Sequence, residues 1–196
     1  QIGLAKLIAT AKMTVMNFPR SLSPGKIIPR ALIALSLSLS VSAAFAGAQR
    51  EEQLSDSVKS ALHKAVADTP ITRNYFESET HEKAWLDEMS SRLKKKFGEV
   101  EDSMDFLRTV HYEAMRAGLD PEMVLGLIQV ESNFRKYALS SVGARGFMQV
   151  MPFWVKQIGS KDHNLFNLRT NLRYGCIIMR HYLDIEKGDY FRALGR

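Results

Sequence analysis

The sequence predicts an all-α domain organised around a central, buried helix, and three observations carry that prediction. Apolar residues recur at helical spacing in successive segments between residues 53 and 185, no stretch after the first 46 residues alternates apolar and polar residues as a half-buried strand does, and Gly, Pro and Asn separate the segments. At 196 residues, 45% apolar and 24% charged, the chain has a globular composition and room for one core.

The first 46 residues stand apart. They contain Lys6, Lys12, Arg20, Lys26 and Arg30 and no acid. Read from Met16, basic residues lead into the apolar run from Ala31 to Val41 and then to the small residues around Ala44 and Ala46, the order of a secretory signal peptide cleaved after Ala46 or Ala48. The apolar run is about a dozen residues against the roughly 20 that span a bilayer, so no stable membrane anchor is expected. Five of the 27 bases lie in this leader and none of the 21 acids, so the remainder is nearly neutral. The formal charge of +6 therefore reports the leader and not a nucleic-acid-binding face.

Residues 47–99 read as a helical region without a motif. Leu54, Val58, Ala61, Leu62 and Ala65 place an amphipathic helix on 53–67, ended by Thr69-Pro70, and 71–79 reads as a connector. A second helix is expected over about 81–97, with Trp85, Met89 and Leu93 on one face and Gly98 as its stop. Lys94, Lys95 and Lys96 fall at its end, where the helix dipole favours cations, and read as a solvated face. A third helix follows over 103–117 with Phe106, Leu107, Val110, Met115 and Ala117.

Asp120 can cap the next helix and Pro121 suits its first position. From Met123 to Val130 the run is apolar around most of the circumference, which predicts burial. Glu131 follows one turn after Leu127 and beside Val130 and Phe134, where lost hydration raises a carboxyl pKa. A carboxyl raised toward neutrality is the general acid that cleavage of a glycosidic bond requires; the plainer alternative is an exposed terminal charge or a paired structural acid. Beyond it, Gly143 and Gly146 allow tight turns, while Ser140, Ser141 and Gln149 offer neutral hydrogen-bonding groups suited to sugars.

Glu131-Ser132, then Gly143-Ala144-Arg145-Gly146-Phe147-Met148-Gln149 and Met151-Pro152, closely resemble the lytic transglycosylase domain of the soluble type, a lysozyme-like family that cuts bacterial peptidoglycan. The match is to its Glu-Ser motif and its Gly-x-x-Gly-Leu-Met-Gln motif, with Phe147 in place of Leu. The resemblance implies a lysozyme-like domain from about residue 100 to 196, Glu131 as catalytic acid and base, and Ser132, Ser140, Gln149 and Met151 as substrate-binding residues. It also implies glycan strands of peptidoglycan as partner, and cleavage of the β-1,4 bond between N-acetylmuramic acid and N-acetylglucosamine with 1,6-anhydro ends.

Between Ser132 and Lys161 there is no Asp or Glu. A two-carboxylate glycosidase needs a partner about 5 to 9.5 Å away, so this favours intramolecular closure over hydrolysis, with Asp162 and Asp184 as distant acids that folding must place. The alternatives are a lysozyme-type hydrolase and a non-catalytic peptidoglycan-binding or assembly protein with envelope or secretion-system partners. A monomer in the periplasm or envelope is expected.

The remaining segments read as helices at 151–158 and 172–185. Trp154 reads as core, with sugar stacking as its alternative, and Asn164, Asn167 and Asn171 read as caps and turns. Leu172, Cys176, Met179 and Leu183 share one side of the second of these helices. Cys176, the single cysteine, reads as a buried thiol, and the five histidines show no ligand spacing, so neither metal nor cofactor is expected. Residues 189–196 open a further helix. The family's Ala-x-x-x-Tyr-Asn-x-Gly motif is matched at Ala193 only, so a C-terminally incomplete domain is expected.

Overall fold

The computed structural model describes residues 51–67, 74–97 and 100–196, and residues 47–196 cluster as one compact unit. The leader, Pro70 and Gly98 lie outside the described residues. The helices are α1 Asp56–Val66, α2 Glu79–Phe97, α3 Val100–Arg116, α4 Pro121–Glu131, α5 Pro152–Ile158, α6 Leu168–Ile185 and α7 Tyr190–Leu194. Among the described residues the only β pairing is two isolated bridges, Leu139 with Arg145 and Arg145 with Val150. The fold is all-α, and a helix forms in each segment where periodicity predicts one.

Short polar side chains set the helix starts. Asp120 accepts from the backbone N–H of Glu122 at 2.7 Å and of Met123 at 3.1 Å, Asn167 from Thr170 at 3.1 Å, and Asp189 from Arg192 at 3.1 Å. Asn167 thereby starts α6 four residues ahead of Leu172, where the apolar pattern alone begins.

Helix α6 is the hub. It packs against α1, α3 and α7, while α2 and α4 pack on α3. From Asn171 to Met179 every residue of α6 is buried, so it is enclosed on all sides over that stretch. Helix α4 buries Val124, Leu125 and Ile128 but leaves Val130 64% exposed. Its apolar circumference thus exceeds what the fold covers.

Between α3 and α6 lies a buried ion cluster. Glu113, 1% exposed, accepts from Arg173 at 3.2 Å, and Arg116 and Arg169 lie 3.2 and 3.5 Å from its carboxylate. Glu113 falls on the same face as Val110, Ala114 and Ala117, all buried, whereas Met115, expected in the core, is 38% exposed. Residues 110, 113 and 114 make the inward stripe of α3, continued by Ala117 just past its end.

Removing one member of a buried charge cluster leaves the others poorly compensated. Glu113→Ala is expected to lower the unfolding free energy by about 3–5 kcal/mol in urea melts, and Glu113→Gln, which keeps the shape, by less. Loss of under about 1 kcal/mol for the Ala variant would show that the cluster does not hold α3 to α6.

Candidate active site

Glu131 is the last residue of α4, and the chain turns away at once. The Ser132 N–H and its hydroxyl both donate to the Ile128 carbonyl at 3.1 Å, closing the helix. Asn133 and Phe134 then take left-handed backbone angles, φ 51° and 63°. That conformation is costly for a bulky residue. It is offset by burial of the Phe134 ring, whose centroid lies 6.1 Å from that of Phe106 of α3. Lys96, at the end of α2, donates to the Asn133 side-chain oxygen at 2.5 Å and braces the same turn.

The motif loop is built by its own hydrogen bonds. Ser140 N–H donates to the Ala144 carbonyl, and Ala144 N–H to the Ser140 hydroxyl oxygen, each at 3.0 Å. Arg145 and Val150 exchange both backbone bonds at 3.0 Å. Gly146 has φ 75°, and a Cβ there would meet the Asn171 amide nitrogen at 2.4 Å, so glycine is required both for conformation and for space.

Asn171, fully buried on α6, is what approaches so closely. Its amide donates to the carbonyls of Arg145 at 2.9 Å and Leu165 at 2.8 Å, and its oxygen accepts from Met148 N–H at 2.9 Å. Phe147, where the resembled family has Leu, sends its ring to 5.0 Å from Phe106 in the core. Met148 lies against Gly175, at which a Cβ would come within 2.3 Å of the Met148 sulfur.

These constraints form a cleft. Glu131 and Leu127 of α4 face Met148, Gln149 and Val150 of the loop, with Gly175, Ile178, Met179 and Tyr182 of α6 as floor and Arg196 at the C-terminal side. Burial raises the Glu131 pKa above the ordinary carboxyl value. The apolar surroundings are Leu127, Met148, Ile178 and Met179; Val130, expected to help, faces solvent instead. Among the described residues that wall the cleft, Glu131 is the only acid. Asp162 is exposed and accepts from the Ser160 hydroxyl, and Asp184 pairs with Arg180; neither walls the cleft.

The other expected site residues divide. Gln149 walls the cleft, with φ 47° and its amide donating to the carbonyls of Gly146 at 2.9 Å and Ala138 at 3.3 Å. Ser132 is 1% exposed, and its hydroxyl donates to the helix end. Ser140 shapes the loop through its hydroxyl, and Met151 sits half-buried at the start of α5; neither walls the Glu131 cleft. Trp154 is 2% exposed, in the core. The sequence reading missed the α6 floor, for which Gly175 inside an otherwise bulky helix was the available signal. It also missed Arg196, which is held by Glu186 at 2.7 Å and Glu52 at 3.3 Å.

Residues 108–195 match the family model described as "Transglycosylase SLT domain". The chain is 33% identical over 92 residues to "Transglycosylase" of Enterobacteria phage PRD1, covering 47% of this chain and 34% of that protein. It is 32% identical over 92 residues to "Membrane-bound lytic murein transglycosylase C" of Haemophilus influenzae (strain PittEE), covering 40% and 26%. To the protein of that name from Actinobacillus pleuropneumoniae serotype 5b (strain L20) it is 39% identical over 112 residues, covering 52% and 30%. The chain thus spans about a quarter to a third of the length of these relatives.

Two measurements check this geometry. Asn171→Ala strips partners from Met148 N–H and from the Arg145 and Leu165 carbonyls, and is expected to cost about 2–4 kcal/mol of stability in urea melts; a cost within about 0.5 kcal/mol would mean that the loop is held otherwise. For Glu131 the folded pKa lies above the unfolded one, so its contribution to stability falls as pH rises from the ordinary carboxyl range through the raised value. Glu131→Gln is therefore expected to melt at or above the parent's temperature at neutral pH, with the gain vanishing in acid. A variant less stable than the parent at neutral pH would contradict the desolvated setting.

Proposed function

We propose that this chain, whose residues 108–195 are an SLT-type transglycosylase domain, is a peptidoglycan lytic transglycosylase. It cleaves the β-1,4 bond between N-acetylmuramic acid and N-acetylglucosamine and leaves 1,6-anhydromuramic ends. The observation that carries this reading is one desolvated carboxyl, Glu131, in a cleft whose wall holds no second acid.

The chemistry follows from that arrangement. Glu131, whose pKa burial raises, gives its proton to the glycosidic oxygen as the C1–O4 bond breaks. The resulting carboxylate takes the proton from the muramic C6 hydroxyl as O6 bonds to C1, which restores Glu131 for the next cycle. No water is consumed, so no second carboxylate is needed to activate one. A lysozyme-type hydrolase needs that second acid, and the positions of Asp162 and Asp184 outside the cleft wall weigh against it.

Gln149 presents a neutral polar side chain to the glycan beside Glu131. Ser132 positions Glu131 by closing α4, Ser140 shapes the motif loop, and Met151 supports the groove from the start of α5. Action in the envelope agrees with the signal-peptide pattern of residues 1–46 and with the murein named for the relatives. Among the described residues no helix is long and apolar enough to cross a membrane.

Glu131→Gln keeps size and hydrogen-bonding capacity but loses the transferable proton. In the full-length protein, release of soluble fragments from purified sacculi is expected to fall at least about 100-fold, with sacculus binding retained. Digestion by the Gln variant at the parent's rate would make Glu131 a structural acid and end this reading.

A further inference from the structure

Beside the cleft, the loop from Arg135 to Arg145 carries three large apolar side chains in the open: Tyr137 is 72% exposed, Leu139 65% and Val142 48%. Tyr137 packs tilted against Phe166, ring centroids 5.9 Å apart and planes at 51°, with the Lys136 ammonium 5.3 Å from the Tyr137 ring and the Arg145 guanidinium 5.9 Å from that of Phe166. The result is an aromatic pair flanked by a cation on each side.

The charge at this place is uncompensated. Residues 132–161 include Arg135, Lys136, Arg145, Lys156 and Lys161 and no acid. Away from the cleft, several described surface arginines have carboxylate partners: Arg92 with Glu88, Arg108 with Glu82, Arg180 with Asp184 and Arg192 with Asp189. Among the described residues, no carboxylate lies within salt-bridge distance of Lys136 or Arg145. Two cations without a carboxylate partner beside the cleft are suited to an anionic ligand there.

The loop is also fixed to the site. The Ala138 carbonyl, next to Tyr137, accepts from Gly146 N–H at 2.9 Å and from the Gln149 amide at 3.3 Å, so the aromatic pair is tied through one residue to a wall of the cleft. The Ser140 and Ala144 bonds keep the intervening turn closed.

We propose that this loop, with Phe166, is a second binding element for the same strand: Lys136 and Arg145 engage the carboxylates of the short peptides that peptidoglycan carries, while the open ring of Tyr137 covers a sugar face. The proposal rests on the peptidoglycan reading of the cleft. It explains why apolar rings and unneutralised cations share one short loop, since a peptide-bearing glycan offers both pyranose faces and anionic groups within a few ångströms of each other.

Binding is measured in the Glu131→Gln background, by sedimentation with intact sacculi and with glycan strands stripped of their peptides by an amidase. The paired change Lys136→Glu and Arg145→Glu is expected to weaken binding to peptide-bearing strands about 10-fold, and to stripped strands less than about 2-fold, with the difference shrinking as salt rises. Tyr137→Ala is expected to weaken both by about 5-fold. Unchanged binding to sacculi in the charge-reversed protein, or equal loss on both preparations, overturns the proposal. Residual digestion by Glu131→Gln counts against the acid in the cleft alone, whereas these affinities report on the loop.

Discussion

One buried amide organises the site. Asn171 makes three hydrogen bonds, two to the carbonyls of Arg145 in the motif loop and Leu165 in the segment before α6, and one from Met148 N–H. In water-free surroundings each of those groups is expensive to leave without a partner, so the loop has one low-energy seat on α6. Gly146 follows from the same contact, because any side chain there would displace the amide. The hub helix is in turn joined to α3 by the Glu113 cluster, and α3 supports α4. Both walls of the cleft, the loop and the end of α4, are therefore referenced to one rigid frame.

That frame decides the chemistry by what it places around Glu131. Side chains of Leu127, Met148, Ile178 and Met179 come from three separate segments, and their convergence is what withdraws water from the carboxyl and raises its pKa. A carboxyl that is neutral before bond cleavage and anionic after it serves as acid and then as base. Among the described residues that wall the cleft, Glu131 is the one acid.

Much of this was legible in the chain. Helix starts were announced by Asp120-Pro121 and by short polar caps, and Glu131 was marked by its place after an apolar run and by the two motifs around it. What escaped were residues whose chemistry argues one way and whose position argues another. Glu113 and Arg173 carried no signal along the chain, since only the meeting of α3 and α6, 60 positions apart, makes them a buried pair. Asn171 looked like a turn residue, though its partners lie 6, 23 and 26 positions away. Conversely Val130 looked like core, because periodicity cannot say which part of an apolar helix finds a partner.

The central claim is that a single carboxyl completes the reaction without activating water. Digestion of sacculi in 18O-labelled water, followed by mass analysis of the new muramic ends, tests it most directly. The account predicts ends lighter by one water than a reducing sugar and free of the label. Reducing ends carrying one 18O atom at C1 would show that water is the acceptor and would contradict it.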